Sequence, residues 1–409
     1  MRLAFLLLLA LPLSLCADAD PLNRTALTRR IADGIGVLDR MYWSPTLSVW
    51  LDRPGDDLRA HYEGRRNPPW WSSANAVEVL IDFMNAAGTS DHDAAIETLY
   101  ELHKSPGGTR TRLIAELKRR GQWTADDEAK AHRGPTEPDA KTDYYTEFRN
   151  EYLDDSGWWG IAWLKMYDRT RAEKYLTTAR AIHAHMAKNW RPDKGGGVMW
   201  GEEPDKLTPN AITNSLFLVL SARLYERTRE PQFLKWAEQS HEWFHAQALF
   251  DGKGIVDVPG HRGDYWTYNQ GTFLGGLTAL YQATGRAEYL DEAAQVADRI
   301  LQKSGLILPG GVIVEKLGTN GWDPGLFKGI FARYLGQLRD FLNAKKLHPE
   351  LAQEIDRVLR ASAASLLAHG LAADGQYACE WHEGAKDQTR TFNTQASALA
   401  LLVAVLTPK

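Results

Sequence analysis

Apolar side chains recur along most of this chain at the three- and four-residue intervals of an amphipathic helix. No segment shows the convincing two-residue alternation of a half-buried strand. Ile161 and Leu164 belong to one such helical face, and Leu216, Leu220 and Leu224 belong to another. The pattern predicts six pairs of helices. The first helices of the pairs are expected over 22–42, 90–104, 172–190, 231–249, 287–304 and 350–369, and their partners over 70–88, 148–168, 209–228, 268–285, 323–343 and 392–406.

A repeated turn joins several of these helices. The segments that begin at Tyr167, Tyr225 and Tyr281 each read as the end of one helix, a short polar turn and the start of the next helix. The three tyrosines are 58 and 56 residues apart. A repeat of this kind, built from helix pairs, is typical of an α-helical array.

Six hairpins form either an open solenoid or a closed ring, and glycines at the starts of the partner helices favour the ring. Gly157, Gly271, Gly275 and Gly329 are examples. Glycine inside a helix costs about 1 kcal/mol relative to alanine, so its recurrence needs a reason. Close approach of inner helices around a central axis supplies one. We therefore predict an all-α fold, an (α/α)6 toroid of six helical hairpins.

The first 19 residues are predicted to be a secretory signal peptide. The apolar run over residues 3–15 is shorter than the roughly 20 residues of a membrane span, and the small-residue motif Ala-Asp-Ala follows it at 17–19. Cys16 would suggest a lipoprotein, but a lipoprotein signal has a small residue directly before the cysteine, and Leu15 is not small. We expect a secreted or periplasmic protein in which residues 20–409 form a single catalytic domain.

A polar segment around 105–144 interrupts the helical rhythm and is predicted to be an insertion between the two helices of the second hairpin. A solvated loop is the preferred interpretation, because polar connecting segments generally run over the surface. The alternative is a lid over the substrate, since the segment leads towards Asp154.

Composition excludes several classes of function. The net charge of -4 and the pI of about 6.3 give no sign of a nucleic-acid or anionic-membrane partner. Cys379 would be the single cysteine of the exported chain and is expected to be structural. His183 and His185 fall on a predicted outer helix and are expected at its surface. Zinc-protease, phosphate-loop, serine-hydrolase and calcium-loop motifs are missing, so we expect no cofactor and no metal.

Two adjacent carboxylates, Asp154 and Asp155, stand at the start of an aromatic-rich predicted helix. Cleaving a glycosidic bond requires two carboxyl groups with different tasks. Neighbours on a helix project roughly 100° apart, so both reach a central cleft only from the first turn. A separation of about 5 Å, typical of retaining glycosidases, is then expected. Packing by Trp158 or Trp159 and the like charge next door would keep one of the two protonated, although aspartate at a helix start is also a common cap.

Polar and aromatic residues also stand where other predicted inner helices begin. Core packing does not require this arrangement, whereas amides bind sugar hydroxyls and flat rings support sugar rings. Both features therefore predict a carbohydrate cleft at one end of the toroid. Substrate-binding roles are predicted for Trp71, Asn75, Trp158, Trp159, Trp200, Asn210, Asn214, Tyr268, Asn269, Gln270, Asp323 and Lys328.

Together these segments resemble glycoside hydrolase family 76, the endo-α-1,6-mannanases. The resemblance runs in order from about residue 22 to the end of the chain. It is most specific at the Asp-Asp pair and the Gly157-Trp158-Trp159 that follows. Other matching stretches are Trp70-Trp71, 195–200, 210–214, 268–271 and 327–334.

The resemblance implies an (α/α)6 fold, a retaining mechanism and cleavage inside α-1,6-linked mannose chains. It assigns the nucleophile to Asp154 and the general acid/base to Asp155. The implied partner is an α-mannan polysaccharide or oligosaccharide, and the chain is expected to be a monomer. The 105–144 insertion looks longer than the family suggests, which leaves the preferred substrate length open.

Three alternative functions use the same fold. A transglycosylase would form the same covalent intermediate and pass it to a sugar hydroxyl instead of water. A glycan-binding protein would keep the cleft without catalysis, although the intact Asp-Asp pair argues against it. A sugar epimerase would need histidines beside the cleft, where few are predicted.

Overall fold

The computed structural model describes residues 20–55, 57–63, 69–105, 108–132, 146–319 and 322–406. The predicted signal peptide lies outside these ranges. Fifteen α-helices account for most of the described chain. They are α1 (Arg24–Tyr42), α2 (Leu58–Tyr62), α3 (Trp70–Ala87), α4 (Asp93–His103), α5 (Gly108–Arg119), α6 (Ala125–His132), α7 (Leu153–Thr170), α8 (Glu173–Lys188), α9 (Ala211–Thr228), α10 (Pro231–Ala246), α11 (Thr267–Thr284), α12 (Ala287–Lys303), α13 (Asp323–Lys345), α14 (Pro349–Ser365) and α15 (Phe392–Val405).

Shorter elements occupy the connections. Strands β1 (Trp43–Ser44) and β2 (Val49–Trp50) form an antiparallel hairpin. Single 3-10 turns cover Thr146–Phe148, Pro192–Lys194 and Pro204–Lys206, and a π turn covers Leu366–Gly370. None of the described helices combines the length and the apolarity that crossing a membrane requires.

Six helices form a closed inner ring. Helices α3, α7, α9, α11, α13 and α15 pack in that order, and α15 returns to α3. Helices α1, α4, α8, α10, α12 and α14 are the outer members of the six hairpins. The predicted (α/α)6 toroid is therefore confirmed. The predicted bounds of the twelve helices agree closely with the observed ones, and the largest difference is at α7, which was expected from residue 148 and begins at Leu153.

The glycines of the inner helices are required by close helix contacts. A carbon atom added at Gly271 of α11 would lie 2.8 Å from Cα of Phe331 on α13. One added at Gly329 of α13 would lie 2.5 Å from Cα of Ser397 on α15. Both distances are shorter than any carbon–carbon contact allows, so a side chain at either position would force the ring apart.

The repeated turns share one hydrogen-bond pattern at the ends of the inner helices. The residue after the helix adopts the left-handed conformation, with φ of 59° at Arg171, and its N–H donates to the carbonyl of the repeat's tyrosine. The residue before it is a threonine in all three repeats, at 170, 228 and 284. Each threonine hydroxyl donates to the carbonyl four residues earlier and accepts a hydrogen bond from the N–H two residues later. The capping bonds are Arg171 to Tyr167 at 2.7 Å, Arg229 to Tyr225 at 2.8 Å and Gly285 to Tyr281 at 2.7 Å.

The insertion differs from the solvated loop that the sequence favoured. Its described part contains helices α5 and α6, and Leu113 and Leu117 of α5 are buried. Arg59 of α2 donates a 2.8 Å hydrogen bond to Asp127 of α6. Leu113 and Leu117 are four residues apart and therefore share one face of α5. Residues 133–145 lie outside the described ranges, so a lid formed by them stays a prediction.

The predicted surface position of His183 was wrong. Its side chain is buried on the face of α8 that packs against the inner ring, with Nε2 2.9 Å from the Ser221 hydroxyl. Burial lowers the pKa of His183 to about 3, which keeps the imidazole neutral. His185, two residues further along α8, is half-buried.

Candidate active site

A cavity of about 630 Å³ lies at the end of the toroid where the inner helices begin. Each of the six inner helices contributes residues from its first turn or from the residues just before it. The lining from these starts comprises Pro69, Trp70, Trp71, Ser72, Asp154, Asp155, Trp158, Asn210, Tyr268, Asp323, Phe327, Thr391 and Asn393. Connecting segments add Asp52, Tyr152, Trp200, Thr208, Asp257, Val258 and Trp322.

Asp154 lies in the first turn of α7 and accepts two hydrogen bonds. The backbone N–H of Asp155 donates to its Oδ1 at 2.9 Å, and the indole Nε1 of Trp200 donates to its Oδ2 at 3.1 Å. The positive end of the helix dipole also favours a negative charge here. All three effects stabilise the ionised carboxylate.

Asp155 accepts a hydrogen bond from a side-chain amide. Nδ2 of Asn150 donates to its Oδ2 at 2.8 Å. Asn150 is itself fixed, because its Oδ1 accepts from the N–H of Tyr152 at 3.0 Å and its N–H donates to the Ser156 hydroxyl at 3.2 Å. The carboxyl group of Asp155 is therefore oriented by a residue that precedes the helix.

Burial raises the pKa of both carboxyl groups. It brings the pKa of Asp154 to about 7, although the hydrogen bonds from Asp155 and Trp200 oppose the rise. The pKa of Asp155 rises well above its usual range, first through burial and then through the negative charge of Asp154. Two neighbouring carboxyl groups of this kind titrate as a pair and hold one proton between them over an intermediate pH range.

Two further carboxyl groups line the cavity. Oδ1 of Asp323, at the start of α13, accepts from the indole Nε1 of Trp71 at 3.0 Å. Oδ1 of Asp257 accepts from Nδ2 of Asn269 at 2.8 Å. Burial raises the pKa of each. The cavity therefore offers several hydrogen-bond acceptors together with its central acidic pair.

Aromatic rings form much of the cavity wall. Tyr268 stacks on Phe327 with ring centroids 3.8 Å apart, and Trp71 lies 6.0 Å from Phe327 and 5.9 Å from Trp158. Trp200 and Trp322 are 38% and 47% exposed, which is unusual for tryptophan. The walls combine apolar rings with carboxyl and amide groups, which suits a ligand that has flat faces and many hydroxyl groups.

The structure brings eight of the predicted residues together at the cavity. Asp154, Asp155, Trp71, Trp158, Trp200, Asn210, Tyr268 and Asp323 all line it. Asn210 also caps α9, since its Oδ1 accepts from the N–H of Thr213 at 3.1 Å. The catalytic and binding roles of these residues remain predictions.

Six residues predicted to bind substrate lie away from the cavity lining, and we reassign them to the scaffold. All six side chains are buried, and five of them make hydrogen bonds to other parts of the protein. The reassigned residues are Asn75, Trp159, Asn214, Asn269, Gln270 and Lys328.

Asn214 and Gln270 hold loops to the inner helices by paired hydrogen bonds. The side-chain amide of Asn214 accepts from the N–H of Val198 at 2.7 Å and donates to its carbonyl at 2.9 Å. Gln270 binds the N–H and carbonyl of Ile255 in the same way, at 2.7 Å and 2.9 Å. These loops carry Trp200 and Asp257 into the cavity, so both amides position site residues without contacting the cavity themselves.

The other four have separate structural partners. Oδ1 of Asn75 accepts from Nη2 of Arg333 at 2.8 Å, and Asn269 holds Asp257. Trp159 packs between the rings of Trp70 and Trp163. Nζ of Lys328 donates to the carbonyl of Cys379, and burial lowers the pKa of Lys328 to about 8.

Sequence reasoning missed Asp257, Asn150 and Asn393. Asp257 lies in a loop without helical periodicity, and Asn150 precedes its helix, so neither had a pattern that revealed it. Asn393 stands in the first turn of the last inner helix, as the other predicted residues do in theirs, and that position could have identified it. Its side chain is buried in the lining, and its Oδ1 has no hydrogen-bond partner among the described residues.

The chain matches one protein family over most of its length. The profile described as glycosyl hydrolase family 76 matches residues 54–409. Mannan endo-1,6-alpha-mannosidase DCW1 of Saccharomyces cerevisiae is 28% identical over 278 residues, which cover 61% of this chain and 59% of the yeast protein. A putative mannan endo-1,6-alpha-mannosidase of Schizosaccharomyces pombe is 25% identical over 286 residues, 62% of each chain. The chain thus spans about three-fifths of the curated relatives it matches.

Solved structures share the fold. The alpha-1,6-mannanase GH76A of Salegentibacter sp. HEL1_6, as an inactive variant with two consecutive aspartates replaced and alpha-1,6-mannotetrose bound, superimposes with a TM-score of 0.71 at 23% identity. The match covers 94% of this chain and 99% of that one. Dfg5 of Chaetomium thermophilum, in complex with glucosamine, gives a TM-score of 0.63 at 16% identity, covering 94% and 91%.

Proposed function

The chain belongs to glycosyl hydrolase family 76, and from this premise we propose that it is a retaining glycosidase that cleaves α-1,6-linkages within mannan chains. The observation that carries the proposal is the unequal hydrogen bonding of Asp154 and Asp155. Asp154 accepts two N–H donors at a helix start, whereas Asp155 accepts one amide and faces the charge of its neighbour. One proton shared by the pair therefore resides mainly on Asp155.

This distribution supports the two roles of a retaining mechanism. In the first step an oxygen of Asp154 forms a bond to the anomeric carbon while the glycosidic bond breaks, and Asp155 gives its proton to the departing oxygen. In the second step Asp155 takes a proton from water. The water oxygen then bonds to the anomeric carbon while the bond between that carbon and Asp154 breaks, and the original anomeric configuration returns.

The relatives support the proposed substrate. The curated relatives are named as mannan endo-1,6-alpha-mannosidases, and the Salegentibacter mannanase in its mannotetrose complex lacks two consecutive aspartates in its inactive form. In this chain, the exposed rings of Trp200, beside Asp154, and of Trp322 offer flat supports for sugar units of a mannan chain. We also propose that residues 1–19 direct export of the protein, because a mannan polymer would be met outside the cell.

Product analysis on debranched α-1,6-mannan tests the proposal. Wild type should release short α-1,6-manno-oligosaccharides whose new reducing ends first appear in the α configuration by NMR. Asp154→Asn and Asp155→Asn should each lower kcat by at least about 10²–10⁴-fold. Asp91→Asn is a matched control, because Asp91 is exposed in the turn after α3, at the opposite end of the ring.

Each other outcome points to a different function. Products of inverted configuration, or full activity in both variants, would refute the retaining pair. Products longer than the substrate would show transfer to a sugar hydroxyl, the transglycosylase alternative. Binding of mannan without products would indicate a glycan-binding protein.

A further inference from the structure

Two histidines and a glutamate form a cluster on the outer surface of the toroid. His241 and His245 lie one turn apart on α10, and Glu292 lies on α12, the outer helix of the next hairpin. Nε2 of His241 is 2.7 Å from Oε2 of Glu292, and Nε2 of His245 is 3.1 Å from Oε1 of Glu292. The two Nε2 atoms are 3.1 Å apart.

We propose that His241, His245 and Glu292 bind a divalent transition-metal ion of the zinc type, which joins α10 to α12. Nothing in the proposed glycosidase mechanism uses this cluster, since none of the three residues lines the cavity. The inference therefore stands or falls independently of the proposed function.

The geometry of the cluster fits a three-ligand zinc site. Zinc binds imidazole nitrogen and carboxylate oxygen at about 2.0–2.2 Å with tetrahedral angles, which sets its ligand atoms roughly 3.3 Å apart. Here the two Nε2 atoms lie 3.1 Å apart, and each is 2.7–3.1 Å from a different oxygen of Glu292. One ligand atom from each residue lies within 4.8 Å of the other two, so small side-chain shifts would place all three around one ion. Imidazole ligands favour zinc, nickel or copper over magnesium or calcium, which prefer oxygen.

The positions of the ligands also favour binding. Histidines at positions i and i+4 of a helix share one face, so α10 presents both imidazoles in the same direction. The ring of His241 is held edge-on against Tyr289 of α12, with centroids 5.1 Å apart. The side chain of His245 is 59% exposed, which gives an ion and a water molecule access to the fourth coordination position.

Some junctions between neighbouring outer helices are bridged by lysine or arginine. Lys174 of α8 binds Glu97 and Glu101 of α4. Arg180 of α8 pairs with Glu230, the residue before α10. Lysine and arginine are charged at neutral pH, so they form such ion pairs without a metal ion. The junction between α10 and α12 has such a bridge as well, between Arg286 and Glu238, and in addition it places two imidazoles on one carboxylate. Histidine is the commonest metal ligand in proteins.

Metal titration of the full-length protein without an affinity tag tests the proposal. After treatment with a chelator, the wild type is titrated with Zn²⁺ against a chromophoric competitor, and Co²⁺ absorption reports the coordination. We expect one equivalent to bind, and Zn²⁺ to raise the Tm in a concentration-dependent way. His245→Ala and Glu292→Gln should each weaken binding by at least about tenfold and abolish the Tm shift.

His348→Ala is the matched control, because His348 pairs with a single carboxylate, Asp291, at 3.3 Å on the far side of α12. It should bind Zn²⁺ as the wild type does. Wild-type protein that binds no more Zn²⁺ than His245→Ala would overturn the proposal, and so would equal loss in the His348→Ala control. His245 is exposed, so its replacement leaves the fold intact and a negative result is informative.

Discussion

Trp200 is tied to the start of α7 through both its backbone and its side chain. Its carbonyl accepts from the N–H of Leu153 at 2.9 Å, and its indole Nε1 donates to Oδ2 of Asp154 at 3.1 Å. The loop that carries Trp200 is held in turn by the amide of Asn214. A residue on a connecting segment thus opposes the rise that burial causes in the pKa of the proposed nucleophile.

Replacing Trp200 by phenylalanine should shift the acid limb of the pH–rate profile upward. Burial raises the pKa of Asp154 to about 7, and the hydrogen bond from the indole opposes this rise. Loss of the hydrogen bond should therefore raise the pKa of Asp154 further. Because the nucleophile must be ionised, activity is lost as the pH falls through this pKa, and a higher pKa moves the loss to higher pH. The measurement is kcat/KM against pH. Trp236→Phe, on outer helix α10, should leave the limb in place, and an unmoved limb in Trp200→Phe would contradict the assignment.

Removing charge from the acidic pair should stabilise the protein at neutral pH. The folded-state pKa values of Asp154 and Asp155 lie above those of the unfolded chain, so the stability present below about pH 4 is lost as the pH rises through the folded values. Asp155→Asn should therefore raise the Tm at pH 8 by about 2 °C or more, and the gain should vanish at pH 4. Thermal unfolding at the two pH values tests this, and an equal gain at both would exclude the electrostatic cause.

Asn150→Ala should lower kcat with little change in KM. Asn150 touches Asp155 and does not line the cavity, so it orients the proposed acid without binding the substrate. Its hydrogen bond lowers the pKa of Asp155, so the basic limb of the pH profile should move upward in the variant. Asn189→Ala, which removes a half-buried amide bonded to Glu202, should move neither kcat nor the limb. A rise in KM alone would refute the positioning role.

Trp322→Ala should affect long substrates more than short ones. Its half-exposed ring lines the cavity next to the guanidinium of Arg53, 4.9 Å away. Loss of one stacking surface costs about 0.5–1.5 kcal/mol, so kcat/KM on the mannan polymer should fall about twofold to tenfold. Hydrolysis of a mannotriose glycoside should be unchanged. An equal fall on both substrates would place Trp322 at the reacting sugar instead.

Glu78→Gln should destabilise the fold without changing the chemistry of the cleft. Glu78 is buried in the ring and pairs with Nη1 of Arg333 at 2.5 Å and with Nζ of Lys165 at 3.0 Å. Removing its charge leaves Arg333 without a carboxylate partner among the described residues, whereas Lys165 keeps Asp82 at 2.7 Å. We expect a cost of about 3–5 kcal/mol in the free energy of unfolding. Urea unfolding measures the loss. Glu354→Gln, which breaks an exposed pair with Arg357, should change the midpoint little. An unchanged midpoint in Glu78→Gln would show that the buried pair contributes nothing.

The architecture was predictable from local patterns. Helical spacing, the repeated Tyr-to-Thr turns and the glycines of the inner helices each report on a few neighbouring residues, and together they predicted the closed ring. The structure differed from the prediction where the apolar pattern was weak. Helices α5 and α6 lie in a polar segment that was expected to be a loop. His183 was misplaced because helical spacing alone did not show which face of α8 meets the ring.

The sequence by itself determined the twelve helices of the toroid and the acidic pair at the start of α7, because helix periodicity and the identity of adjacent residues are local properties. Only the tertiary structure decided which polar residues reach the cavity. Asn210 and Asn214 stand one turn apart, yet one lines the cavity and the other clamps a loop, since a single helical turn moves a side chain from the mouth of the ring into its packed wall. Asp257, Asn150 and Trp200 act from connecting segments, whose positions depend on contacts between residues distant in sequence.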